Sequence, residues 1–381
     1  MNGTIKKLRS TTARTKKKET HTEKRTRMNE MASAYKVAYH RQKLEAYLRN
    51  EPILPATVEL DISSKCSRRC PSCPSTTSKY SSTLDLDFIK RLFVRLEGET
   101  KGLLLSGGEP TLSPIFPEVL RLAREHGFVD IAIVTNGDLL GREEVASALC
   151  AYASTIRISI YDWTKEPREE TEATLQQIRK LRSRIDQEGS KLEIGVSALT
   201  SAENADAVSA AVRDVASAGA HWIYFHPMCI RWEVGAPERV DQERVLTKIR
   251  ECQEEQSGKF QVFTFPDRYV EHRIDFSGYH AAHFLLVIGA DGINYLGAET
   301  KYHPQYAIAD LAKNWSEDFL WQRERLKLIE SVNSRTYAPM SSRHRGILYN
   351  NIIQGLINSG TKSLDGTAAI RQESYAFPHI L

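Results

Sequence analysis

No run of about 18 apolar residues occurs anywhere in this 381-residue chain, so it offers no helix able to span a bilayer. No apolar stretch stands behind the basic N-terminus either, which excludes reading it as a secretory signal. Cysteine is sparse: there are six, and none follows Cys252. So few in so long a chain do not make a disulfide framework, and the expected location is the cytoplasm. No G-x-G-x-x-G follows the first predicted strand, which counts against dinucleotide binding. Excess basic charge is missing from most of the chain as well. Residues 1–27 hold ten Lys/Arg and two Glu, a local +8, whereas the other 354 residues carry 42 basic and 46 acidic side chains. The overall net charge of +4 therefore belongs to the tail. With almost no apolar residues, residues 1–31 are expected to form a disordered basic tail. Nucleic acid is not the expected partner.

What remains is an ordinary globular composition, 41% hydrophobic and 26% charged, long enough to bury a large core. Residues 32–56 read as one amphipathic helix and a linker, ended by Pro52 and Pro55. From residue 57 to 256 short apolar runs alternate with amphipathic ones: "TVELDIS", "GLLLSGGEP", "DIAIVTNG", "TIRISIYD", "LEIGVSAL" and "HWIYFHPM" each precede a helical segment. Six strand-then-helix units predict an α/β fold, a parallel sheet covered by helices and closing partway into a (βα)6 TIM-like barrel. Active sites of such barrels lie at the carboxyl ends of the strands. Beyond residue 257 the rhythm breaks into a C-terminal α+β appendage. It holds a strand "FQVFTF", a hairpin turned at Asp291-Gly292 and a helix in "SEDFLWQRERLKLIESV". This appendage is expected to act as a lid over the barrel mouth.

The segment "SSKCSRRCPSCPS", directly after the first strand, places Cys66, Cys70 and Cys73 within eight positions. Three thiolates at this spacing can hold three irons of a 4Fe–4S cubane and leave the fourth open. A zinc site completed by a distant histidine such as His126, His226 or His280 is the alternative that spacing alone leaves standing. After the second strand come Gly107, Gly108, Glu109 and Pro110, and after the third Thr135, Asn136 and Gly137. In the order C-x3-C-x2-C then G-G-E-P, on a (βα)6 pattern, residues 57–235 resemble the radical S-adenosylmethionine (radical SAM) superfamily.

The resemblance implies that Cys66, Cys70 and Cys73 ligate three irons and that S-adenosylmethionine chelates the fourth through its amino and carboxylate groups. Gly107 and Gly108 would let the methionyl amino group approach the backbone, with Glu109 as a polar partner beside them and Asn136 nearby. In this family an electron from the cluster cleaves the cofactor, and the resulting 5′-deoxyadenosyl radical abstracts a substrate hydrogen. An electron donor such as flavodoxin or ferredoxin is implied. The chain departs from the family in one respect: the aromatic usual before the third cysteine is replaced by Ser72.

Strand alternation turns Glu59 and Asp61 inward on the first strand. It does the same for Arg157, Ser159 and Tyr161 on the fourth, Glu193, Gly195 and Ser197 on the fifth, and Trp222, Tyr224 and His226 on the sixth. The charged ones are expected to pair inside the barrel or to contact ligand. Ser159 and Ser197 match positions that would contact the cofactor's ribose and carboxylate. Tyr161, His226 and Cys229 are the candidates for substrate chemistry, Cys229 as a hydrogen-atom donor. The appendage has no cysteine for a second cluster, resembling a degenerate SPASM/twitch-like region, and this favours redox-neutral chemistry. The roughly 55 residues before the first strand are too few and too basic for a leader-binding module. The expected substrate is therefore a polar small molecule (sugar, aminocyclitol or nucleoside), undergoing epimerisation, dehydration or decarboxylation as in antibiotic-tailoring members. A peptide- or tRNA-modifying enzyme is the alternative.

Overall fold

The computed structural model describes residues 34–70, 73, 81–161, 163, 169–201, 204–227, 242–256, 260–265, 269, 275–337, 345–364 and 376–381. Six strands follow the predicted order: β1 Thr57–Ser63, β2 Gly102–Gly107, β3 Asp130–Thr135, β4 Thr155–Ser159, β5 Glu193–Thr200 and β6 Trp222–Pro227. After the short N-terminal helix α1 (Arg41–Leu48), the helices between strands are α2 Leu86–Leu96, α3 Phe116–Glu125, α4 Glu143–Tyr152, α5 Glu169–Glu188 and α6 Val208–Ser217, and α7 Gln242–Glu255 follows β6. β1 through β6 pair in sequence order and all in parallel. This is the α/β half-barrel that the alternating pattern predicted.

The same alternation sorts the core. Val58, Leu60, Ile62, Leu103, Leu105, Ile131, Ile133, Ile156, Ile158 and Ile160 join one buried cluster with the apolar stripes of the helices. In α2 those are Phe88, Ile89, Leu92, Phe93 and Leu96, and Asp85 starts the helix by accepting the Asp87 N–H at 2.7 Å. The residues between the isoleucines of β4 are left to the other face of the sheet, as expected. One reading is adjusted at the N-terminus: the expected single helix is α1 preceded by a 3-10 stretch, Ala34–His40.

The C-terminal region adds strands to the sheet itself. Among the described residues the sheet has ten strands, in the order β10-β9-β8-β1-β2-β3-β4-β5-β6-β7. β7 (Gln261–Thr264) pairs in parallel with β6, and β8 (Leu285–Ile288) in parallel with β1. β8 and β9 (Ile293–Tyr295) form the hairpin turned at Asp291-Gly292, and β10 (Ala307–Asp310) adds to it antiparallel. The sheet thus runs straight across the expected boundary at residue 256. Two helices complete this region, α8 Arg323–Ser331 and α9 Arg345–Asn358.

A buried ion network joins the two parts. Lys301, just past the hairpin, donates to Glu59 Oε1 at 2.7 Å, Asp61 Oδ1 at 2.8 Å and Ser106 Oγ at 3.0 Å. The Tyr302 hydroxyl donates to Asp61 Oδ2 at 2.7 Å. Burial alone would lower the Lys301 pKa, but the Asp61 and Glu59 carboxylates outweigh it and hold the ammonium above its usual range. Glu59 and Asp61 are therefore the internal pairing residues that strand alternation allowed for. Removing the cation strands two buried carboxylates. Lys301→Met is expected to destabilise the apo-protein by about 3–5 kcal/mol, read from urea unfolding at neutral pH. A change below about 1 kcal/mol would mean that water already solvates this network.

Candidate active site

The three cysteines follow β1 at its carboxyl end, and the segment carrying them is closed at its base. Ser64 N donates to Ser82 O at 2.9 Å, Leu84 N to Ile62 O at 3.0 Å, and Ser63 forms an isolated antiparallel bridge to Thr83. A register irregularity between Asp61 and Ser63, opposite Ser106 and Gly107, marks the point where the chain leaves the sheet. Cys66, Cys70 and Cys73 are all half-buried and outside any disulfide. Burial pushes the Cys66 thiol up, while the Arg68 N–H (3.4 Å) and the Asn136 side-chain amide (3.8 Å), both donated to its sulfur, work against that shift. Cys70 is likewise raised, by burial first and then by the neighbouring Cys73 and Cys66. The thiols therefore lie within electrostatic reach of one another. Yet among the described residues no three His, Cys, Asp or Glu converge tightly enough for one metal ion.

Glu109 has a structural task at this end of the sheet. It is fully buried, and Oε1 accepts from Thr111 N (3.1 Å), Thr111 Oγ1 (2.6 Å) and Thr135 Oγ1 (2.8 Å), while Oε2 accepts from Asn136 N (2.7 Å). Its own N–H donates to Lys65 O at 2.7 Å. Burial raises its pKa, and these four donors oppose the rise. A carboxylate so enclosed braces the ends of β2 and β3 against each other.

The glycines before it also answer first to the protein's own backbone. At Gly107 (φ +120) a Cβ would meet Ser63 O at 2.5 Å, and at Gly108 it would meet Lys65 O at 2.3 Å and Ser64 O at 2.5 Å. A Cβ at either position would push away the segment that carries the cysteines.

Across the barrel, Ser197 and His226 form a pair. Nδ1 of His226 lies 3.3 Å from Pro227 O, which can only accept. The ring proton therefore belongs on Nδ1, and Nε2 accepts from Ser197 Oγ at 2.8 Å. The ring stacks on Tyr224 at 5.1 Å, and Tyr224 on Phe263 at 5.5 Å. Phe263 belongs to β7, and sequence reading had no means of adding that strand to the wall. The Tyr161 phenol is raised chiefly by burial. It hydrogen-bonds Ser159 and feels the charges of Arg157 on one side and Cys70 and Cys73 on the other. Tyr161, just past β4, is thus within electrostatic reach of Cys70 and Cys73, while Ser197 and His226 stand together on β5 and β6. Cys229 and Ser72 lie outside the described residues.

Fold and site together define a parallel α/β half-barrel bearing a three-thiol segment at the carboxyl end of its first strand. Comparison with known proteins makes this specific: the Radical SAM superfamily model matches residues 60–196, and the chain contains a radical SAM domain. A 7,8-dihydro-6-hydroxymethylpterin dimethyltransferase of Methanocaldococcus jannaschii is 34% identical over 83 residues, which are 20% of this chain and 16% of that protein. A GTP 3′,8-cyclase of Chlorobaculum tepidum is 33% identical over 93 residues, 23% of this chain and 27% of the cyclase. The chain thus matches only between about a sixth and a quarter of these two relatives' length. Among solved structures, Streptococcus suis SuiB bound to S-adenosylmethionine superposes with a TM-score of 0.60 at 13% identity, over 78% of this chain and 73% of SuiB. The enzyme anSMEcpe with bound S-adenosylmethionine gives 0.55 at 14%, over 81% of this chain and 96% of its own. Both likenesses show the fold. The cofactors of the family are a 4Fe–4S cluster and S-adenosylmethionine.

Two outcomes follow for the cluster site. Anaerobically reconstituted protein should hold about four irons per chain, and alanine at Cys66, Cys70 or Cys73 should abolish this while Cys150→Ala and Cys252→Ala retain it. Stoichiometric zinc without iron in protein purified under nitrogen would overturn the cluster. Gly108→Ala should lose iron as well as cofactor affinity, because its Cβ displaces Ser64 and Lys65. Normal iron content with weakened S-adenosylmethionine binding would show instead that the glycine serves the cofactor alone.

Proposed function

We propose that this protein is a radical SAM enzyme acting on a polar small molecule such as a sugar, aminocyclitol or nucleoside, in a redox-neutral epimerisation, elimination or decarboxylation. The observation that carries the enzyme class is the three-thiol segment after β1 inside a matched radical SAM domain. Cys66, Cys70 and Cys73 would hold the cluster. When reduced, that cluster supplies the electron that cleaves S-adenosylmethionine into a hydrogen-abstracting radical. A small redox protein of the flavodoxin or ferredoxin type would deliver the electron.

The substrate class rests on the polar groups of the inner face. Tyr161 hydrogen-bonds Ser159 and feels the charges of Cys70 and Cys73, and the Ser197–His226 pair lies on β5 and β6. Hydroxyls and an imidazole of this kind recognise hydroxyl-rich substrates by hydrogen bonds. The aromatic stack under His226 fixes its ring plane, so its position does not depend on solvent. No helix among the described residues is long and apolar enough to cross a membrane. Ser159 and Ser197 would serve the cofactor, with Tyr161 and His226 serving the substrate. Cys229, two residues past the end of β6, is kept as the proposed hydrogen donor for an epimerisation.

The test is anaerobic incubation of the loaded protein with a chemical reductant, S-adenosylmethionine and a panel of sugars, aminocyclitols and nucleosides. One member should raise 5′-deoxyadenosine above the substrate-free rate in step with a new product. His226→Ala should still cleave the cofactor but lose at least about tenfold in product. Stimulation by peptides alone would sink the small-molecule reading. Equal product from His226→Ala would remove that residue from the chemistry.

A further inference from the structure

The segment between the first two cysteines is held by residues that the ligand motif does not specify. Ser67 Oγ donates to Asp138 Oδ2 at 2.6 Å. Arg68 Nε and Nη2 both donate to Asp138 Oδ1, at 3.1 and 2.5 Å. The guanidinium is also tied to α5, through Nη2 to Thr174 Oγ1 at 2.8 Å and Nε to Glu170 Oε1 at 2.8 Å. Asp138 lies just past Asn136 and Gly137, in the turn that leaves β3. Its N–H donates to Asn136 Oδ1 at 3.0 Å. That contact fixes the Asn136 amide so that Nδ2 reaches Ser67 Oγ at 2.9 Å and Cys66 Sγ at 3.8 Å.

We propose that Asp138 is a positioning residue that grips Ser67 and Arg68 and so holds the Cys66–Cys70 segment in one conformation before any cluster is built. The need for such a grip is physical. Residues on an exposed segment lose backbone freedom when they are ordered, and three ligands on a free segment would lose it while the cluster assembles. A lone exposed ion pair contributes little. Here one carboxylate satisfies two consecutive residues, and the Arg68 side chain is only 15% exposed. The Arg68 N–H and the Asn136 amide then meet the Cys66 sulfur from prearranged positions, as outer groups do for metal ligands generally. The link to the cluster rests on reading the cysteines as its ligands; the grip itself does not.

Hydrogen exchange on the reduced apo-protein tests the grip directly. In Asp138→Ala, peptides covering residues 64–70 should exchange at least about tenfold faster than in the wild type, while β2 and β4 remain protected and report an intact fold. Asp138→Asn should recover part of that protection, since its remaining carbonyl oxygen can still accept from Ser67. The double variant Arg68→Ala/Asp138→Ala should exchange faster than Asp138→Ala, since it also removes the Arg68 contacts to Thr174 and Glu170, but by less than the two single effects combined, because the Arg68–Asp138 contact is lost in both. In reconstituted protein, Asp138→Ala should release iron to ethylenediaminetetraacetate faster than the wild type. Unchanged exchange over residues 64–70 would overturn the proposal whatever the iron content. Faster exchange in a protein whose wild type takes up no iron would support the grip and remove the cluster reading instead.

Discussion

The enclosed carboxylate of Glu109 is the constraint on which the catalytic end of this barrel depends. Burying a carboxylate is costly unless its lone pairs are satisfied, and here four donors from two different strand ends satisfy them. Because those donors lie on Thr111, Thr135 and Asn136, the carboxylate can be satisfied only when the ends of β2 and β3 stand in one relative position. The Glu109 N–H adds the third strand by reaching Lys65 O, one residue before Cys66. A flexible version of this end would leave the carboxylate unpaired, so its burial cost enforces rigidity. The grip of Asp138 on Ser67 and Arg68 extends the same brace outward by one turn.

A second buried charge cluster does related work on the inner face. Lys301 neutralises Glu59 and Asp61 from a segment more than 200 residues away in sequence. Asp61 is close to the cysteine segment, since its Cβ lies 3.0 Å from where a Gly107 side chain would begin. The C-terminal hairpin is therefore tied through β8 and Lys301 to the strand that launches the cysteines. A disturbance of residues 285–302 would reach the site through β1 without touching it. This gives the C-terminal region a part in shaping the barrel in addition to any covering of its mouth.

How much of this was legible in the sequence depends on whether the signal is local. Strand–helix alternation, the inward or outward sense of Ile156, Ile158 and Ile160, the hairpin at Asp291-Gly292 and the three-cysteine segment are set by neighbours in sequence, and they could be read. The partners of Glu59 and Asp61 could not, because nothing in residues 59–61 points to Lys301. The placement of Glu109 could be read, but its bracing task could not. Its position after β2 is a local fact, but its burial depends on Thr135 and Asn136 from the next strand. Gly108 shows the same limit: a glycine signals close approach without saying what approaches, and here that is the Ser64–Lys65 backbone.

The two sides of the barrel are consequently built from different materials. The ends of β1, β2 and β3 are joined by short hydrogen bonds to enclosed charges, a construction that fixes atoms closely and tolerates little substitution. On β6 and β7 the wall is an aromatic stack of His226, Tyr224 and Phe263, with Ser197 supplying a hydrogen bond to the imidazole from β5. Stacked rings hold a plane but accept changes of size and polarity at modest cost, because dispersion is spread over many weak contacts. On the proposed reading, this assigns invariant chemistry to the first side and substrate choice to the second. A change of substrate would then be sought by altering His226 and its neighbours on β6 and β7, leaving Glu109, Asp138 and the cysteine segment untouched.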